Sequence, residues 1–318
     1  MMNTDILTFV EAKEKYFNYS SNYKNKAKGT LKVYNNLLEE FHRFLKWYKQ
    51  VFEVKISDIQ IEDIHEYITH KKSQISPLTK THISPNTLYM HSAAIRSFFK
   101  YLNTIWASDL FFTRIEYVPT EPPKVHYLTD EELQILLHAP SIEPRPLIRY
   151  RNRAIMYLGY YCGLRAHEIL AVKFSDIPRK WGAIYIKGKR GKFRQIWIRK
   201  EISDIIYEYH ELKKKILWAF RGSASDFICT TFSNNSKKDK VLNPSAITQM
   251  FDRYKRILGL PKKISSHCLR RKFWTDLYEF WTSMEVVQKL MGHQDIQTTL
   301  RYVKISDNIL KKNCLKLK

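Results

Sequence analysis

Between residues 118 and 126 the chain reads VPTEPPKVH, with three prolines in nine residues. Each proline removes a backbone donor and disfavours the helical region for the residue before it. No helix or central strand can run through such a stretch, so it is predicted to be an extended linker. It separates residues 1–117 from residues 127–318, and a chain of 318 residues is long enough to bury two cores.

The first segment is predicted to be all-helical. From Thr30 to Tyr48 the apolar residues Leu31, Tyr34, Leu37, Leu38, Phe41, Phe44, Leu45 and Tyr48 recur at intervals of three and four. That spacing puts them on one face of a helix. A second stretch follows Ser57 and Asp58 with Ile61, Ile64, Tyr67 and Ile68 facing inward, and a third opens at SPNT (84–87) and carries Leu88, Ile95, Phe98, Phe99 and Leu102. Both starts offer side chains suited to N-capping. A further helix is expected near residues 8–20.

Beyond the linker, LTDEELQILLHA (128–139) is a capped helix start led by Thr129 or Asp130, with acids in the first turn, where the helix dipole favours them. WGAIYIKGKRGKFRQIWI (181–198) interrupts the helical pattern: two β-branched and aromatic runs flank a basic, glycine-containing turn, which predicts a hairpin. Helical periodicity returns at 242–260, while SNNSKKDK (233–240) reads as a polar loop. The fold class is therefore mainly α with a small β-sheet, an α+β second domain following an all-helical first one.

Fifty-four Lys and Arg face 31 Asp and Glu, for a formal charge of +23. The excess implies a polyanionic partner, and its interleaving with aromatic residues favours nucleic acid over a membrane surface. No apolar run approaches the roughly 18 residues of a membrane span, and no secretory signal is visible at the start, so a cytoplasmic location without membrane contact is expected. Cys162, Cys229, Cys268 and Cys314 are scattered without the CxxC pairs of a zinc site or redox motif, which predicts reduced thiols and no metal site.

Six residues each suit the handling of a phosphodiester: Arg165, Lys189, His267, Arg270, His293 and Tyr302, the last four within one 36-residue window. Splitting such an ester without a metal requires a nucleophile, donors on the non-bridging oxygens and an acid for the leaving alkoxide. Arginine suits the donor role, since its planar fork bonds two oxygens at once and stays charged. Glu168 follows Arg165 by one helical turn and can orient it, although that spacing is also that of an ordinary surface ion pair. His267 and Arg270 lie three apart and project from one side of a helix start. The hairpin offers Lys187, Lys189 and Lys192 as acids, and it also has the composition of a loop that grips backbone phosphate.

The segments YYCGLRAHEILAVKFSDI, IKGKRGKFRQIWI, HCLRRKF and VVQKLMGHQDIQTTLRY resemble the boxes of the tyrosine recombinases, the λ-integrase or Xer-like family. The resemblance spans most of residues 127–302. It implies that Arg165 and Arg270 bind the scissile phosphate with His267 and His293 assisting. Lys189 would protonate the departing 5′ oxygen. Tyr302, nine residues after His293, would attack the phosphorus. The family pattern is broken at His167, where a small residue is usual, at Arg271, where a second histidine is frequent, and at Trp281, in place of a turn glycine. The first segment resembles the family's core-binding domain more weakly, through its helical pattern and a Thr30 to Tyr34 entry.

The implied function is site-specific recombination of double-stranded DNA through a 3′-phosphotyrosyl intermediate, with no cofactor. The implied assembly is a homotetramer in the synaptic complex, bridged through the C-terminal tail 305–318. Two rivals are a type IB topoisomerase, which shares the chemistry but acts as a monomer, and a DNA-binding protein whose fold no longer reacts.

Overall fold

A computed structural model describes residues 7–24, 26, 28–77, 80–106, 114–120, 126–180, 182–187, 193–221, 224–232 and 240–280. The chain forms two compact units, residues 1–123 and 124–318. The division falls inside the proline-rich stretch. The near end of that stretch lies on the first unit: Tyr117 stacks on Tyr89 with ring centroids 5.2 Å apart, and the Val118 amide donates to Ser92 Oγ at 3.4 Å. Among the described residues no helix is long and apolar enough to cross a membrane.

The first unit contains α1 (Phe9–Asn22), α2 (Lys28–Lys49), α3 (Ile61–Ser73) and α4 (Pro85–Trp106). Thr8 and Glu11 cap α1 reciprocally, each side chain accepting from the other's backbone amide. Helix α3 begins differently from the sequence expectation. Ile56–Asp58 forms a short 3-10 turn, and the carboxylate of Asp63 takes the Gln60 amide at 2.8 Å in place of a cap from Ser57 or Asp58. Ser84 does cap α4, its Oγ accepting from the Thr87 amide.

The apolar stripes meet in one core of Phe9, Leu38, Phe41, Leu45, Ile64, Tyr67, Ile95, Phe98, Phe99 and Leu102. Each such side chain contributes roughly 1.5–3 kcal/mol of burial. Tyr48, predicted to face inward, is 46% exposed. It lies one residue from the end of α2 and lays its ring on the outer face of Phe44, 5.3 Å between centroids. Between α3 and α4 the buried Tyr67 hydroxyl meets His91 Nδ1 at 2.8 Å.

The second unit runs α5 (Asp130–His138), α6 (Pro146–Tyr161), α7 (Ala166–Ala171), β1 (Gly182–Lys187), β2 (Phe193–Ile198), α8 (Lys200–Arg221), α9 (Pro244–Leu258) and α10 (Ser266–Phe280). Thr129 caps α5, Asn243 caps α9, and Gly259 ends α9 in the left-handed conformation. Helix α6 is the centre of the unit and packs against α5, α8 and α10. The strands pair antiparallel with Gly182 opposite Ile198 and Lys187 opposite Phe193. Ile184, Ile186, Ile196 and Ile198 face the core, while Tyr185, Phe193 and Trp197 stay exposed. The mainly helical architecture with one small sheet, expected from the sequence, is what the described residues form.

Candidate active site

The site grows from the end of α6. After Tyr161 the chain turns through Gly163 at φ +57°, a conformation that favours glycine, and buries Leu164 before Arg165 opens α7. Glu168, in the first turn of α7, points back at that opening. Its Oε2 accepts the Arg165 amide at 2.8 Å and its Oε1 the Arg165 guanidinium at 3.1 Å. Sequence spacing alone allowed a surface ion pair, but the Glu168 side chain is only 1% exposed, against 26% for Arg165.

Two more arginines converge on the same carboxylate. Arg194, from β2, places Nη1 at 2.8 Å from Oε1 and Nη2 at 2.6 Å from Oε2, a two-point fork. Arg270, from α10, is fully buried with Nη1 3.8 Å from Glu168 Oε2, and the same nitrogen donates to the Gly163 carbonyl. Its guanidinium also lies 5.5 Å from the Trp274 ring centroid, a cation–π contact. Burial raises the pKa of Glu168, but the Arg194 fork, the Arg165 amide and the charges of Arg194 and Arg270 outweigh it and hold the carboxyl down at about 2. The acid is ionised at any working pH.

His267 stands at the start of α10 and keeps an exposed edge. Partial desolvation, then the positive charges of Arg271, Arg270 and Arg165, lower its pKa, so the neutral imidazole is favoured. His167, also exposed, has its pKa lowered mainly by partial burial, with Glu168 opposing and Arg165, Arg194 and Arg270 reinforcing. The structure thus brings together Arg165, Arg270 and His267 of the sequence-predicted set, with Glu168 between the arginines. Lys189, its alternative Lys192, His293, Tyr302 and the tail 305–318 lie outside the described residues. Lys187 is described, exposed at the end of β1.

One member of the cluster was not assigned a role from sequence. Arg194 occupies the strand face that Ile196 and Ile198 bury, since residues two and four apart share a face. An arginine on a buried face needs a buried acid, a signal in the strand pattern that could have singled out Arg194. Three guanidinium groups around one carboxylate leave a local surplus of two positive charges, with Arg165 at the surface and a neutral histidine beside it. Such a charge cluster attracts an anion, and Arg165 can offer hydrogen bonds to its oxygens.

Comparison with known proteins finds relatives along most of the chain. A 23% identical relative is tyrosine recombinase XerC of Listeria innocua, aligned over 309 residues, 96% of this chain and 97% of that protein. XerC of Syntrophus aciditrophicus is 28% identical over 239 residues, 74% of this chain and 75% of that protein. Among solved structures, XerH site-specific recombinase bound to palindromic difH substrate in a post-cleavage complex superposes with TM-score 0.69 at 18% identity, covering 97% of this chain and 95% of that one. A λ integrase tetramer bound to a Holliday junction gives 0.67 at 17% identity, covering 94% and 78%; at such identities these two establish the fold. The model of the phage integrase family matches residues 126–308, more than half of the chain, and the chain belongs to that family.

Proposed function

We propose that the protein is a site-specific DNA recombinase that breaks and rejoins strands by transesterification. Tyr302 gives up its phenolic proton and attacks the scissile phosphorus, the 5′ oxygen leaves with a proton from Lys189, and a 3′-phosphotyrosine carries the bond energy until a partner strand's 5′ hydroxyl, losing its own proton, reverses the step. Arg165 contacts the phosphate directly. Arg270, closed off from solvent, acts on the same group through its charge, and His267 and His293 complete the donors. The observation that carries this reading is the convergence of Arg165 and Arg270, 105 positions apart in sequence, on one buried glutamate beside His267. Because exchange between duplexes requires four active sites, we infer a homotetramer on double-stranded recombination sites, with the C-terminal tail bridging protomers. A soluble protein of the cytoplasm fits these roles.

The test is incubation of the full chain with nicked suicide duplexes in EDTA, followed by denaturing gels. A covalent protein–DNA band that disappears in Tyr302→Phe is expected. A band that persists in that variant would place the nucleophile elsewhere, and tight binding without any band would favour the non-reacting DNA-binding reading.

A further inference from the structure

Glu168 is shared unequally. Arg194 takes both of its oxygens, at 2.8 and 2.6 Å, whereas Arg165 reaches one oxygen at 3.1 Å and Arg270 the other at 3.8 Å. The Arg194 side chain is 8% exposed and Glu168 1% exposed, so little water screens the pair. A carboxylate this deep needs compensation, and the tightest compensation comes from the hairpin, not from the two arginines assigned to the phosphate. Without Arg194, the negative charge of Glu168 would be shared between Arg165 and Arg270 alone. The local surplus would fall from two positive charges to one, and the glutamate would compete directly with an incoming phosphodiester for Arg165 while cancelling more of the charge that Arg270 supplies from behind.

We propose that Arg194 is a positioning residue: by neutralising Glu168 it lets that acid orient Arg165 and Arg270 without cancelling their attraction for the phosphate. The proposal rests on the reading that Arg165 and Arg270 serve the scissile phosphate. It also gives the hairpin a second task besides carrying its lysines, because the strand that leaves the turn delivers the balancing charge. Arg194 has the right reach because Phe193, its neighbour, closes the register against Lys187, which fixes Arg194 opposite Ile186 on the inward face.

A charge cycle separates this from a purely structural tether. Single-turnover cleavage of a nicked duplex by the full chain is compared for wild type, Arg194→Gln, Glu168→Gln and the double variant, with thermal melts alongside. Arg194→Gln is expected to cleave about 10- to 100-fold more slowly, by analogy with the loss on removing a residue that orients a metal ligand. The double variant, in which the acid's charge is gone too, is expected to recover at least half of that loss on a logarithmic scale. A double variant no faster than Arg194→Gln, or an Arg194→Gln protein as fast as wild type, would overturn the proposal. If Arg194→Gln fails to fold, Arg194→Lys carries the test: it keeps the charge without the fork, so cleavage near wild type is expected, and a folded Lys variant as slow as Arg165→Ala rejects the idea. Arg165→Ala and Arg270→Ala run in parallel separate the two levels. If both cleave normally the phosphate reading itself fails, whereas if both are dead and the double variant does not recover, only the role of Arg194 fails.

Discussion

Gly163 couples a backbone conformation to the candidate site. Its φ of +57° favours glycine, and an added Cβ would lie 2.4 Å from Phe273 Cδ1 and 3.0 Å from Trp274 Cε2. Its carbonyl meanwhile accepts from Arg270. Gly163→Ala therefore adds left-handed strain to a clash with two aromatic rings on α10, the helix that carries Arg270, for a combined cost of roughly 2–4 kcal/mol. Gly259→Ala is the control: φ is +65° but nothing lies within 4 Å, so only the strain of about 1 kcal/mol applies. Urea denaturation should rank Gly163→Ala well below Gly259→Ala, with cleavage lost at position 163 and kept at 259. Equal stability of the two variants would show that the Phe273 ring moves aside without cost. At this scale the sequence was legible where a contact is local. The spacing of Arg165 and Glu168 was readable; the depth of Glu168 and the fully buried state of Arg270 were not, because both depend on α6, β2 and α10 arriving from distant parts of the chain.

Elements with their own punctuation were readable in the same way. Thr129 caps the helix that the 128–139 stretch predicts, and paired strands at 182–187 and 193–198 alternate in burial as the β-branched runs predicted. The start of α3 was misplaced because Ser57 and Asp58 are good cap residues that the chain spends on a 3-10 turn. Nothing in the periodicity revealed that α3 and α4 are joined by a buried Tyr67–His91 hydrogen bond. Burial, with Lys71 adding and Glu40 opposing, lowers the His91 pKa to about 4 from an ordinary 6.5. Above pH 6.5 both folded and unfolded His91 are neutral, and between 6.5 and 4 only the unfolded chain takes up the proton. Stability of the first unit must then fall as pH falls, by about 2 kcal/mol at pH 5 from this residue. The check is to equilibrate the chain in urea at pH 7.5 or pH 5, pulse-label with deuterium at one common pH, and read peptides from α3 and α4. The midpoint should drop at pH 5 in wild type and drop distinctly less in His91→Gln. An identical drop in both proteins would assign the acid sensitivity to another group.

Over the whole molecule the charge is divided unevenly between the two units. Residues 1–123 hold 16 Lys and Arg against 13 Asp and Glu, a net of +3, while residues 124–318 hold 38 against 18, a net of +20. The unit that carries the three arginines around Glu168 therefore also carries almost all of the long-range field. The first unit, with a net charge of only +3, is expected to add less to the long-range attraction for a polyanion. Affinity for duplex DNA of arbitrary sequence should then be dominated by counterion release from phosphates met by the second unit. The dependence of log Kd on log salt gains about 0.9 for each phosphate neutralised, and six or more such contacts correspond to a loss of at least about a thousandfold between 50 and 200 mM salt. Fluorescence anisotropy of a labelled duplex titrated with the full chain across that range measures it directly. Replacing Arg165 by Ala should change the slope by no more than about one contact, since one phosphate is at stake in the site while the rest of the field is untouched. A slope near zero in the wild-type protein would mean that the +20 of the second unit is not spent on a nucleic-acid backbone, and the electrostatic basis of the recombinase reading would be lost with it.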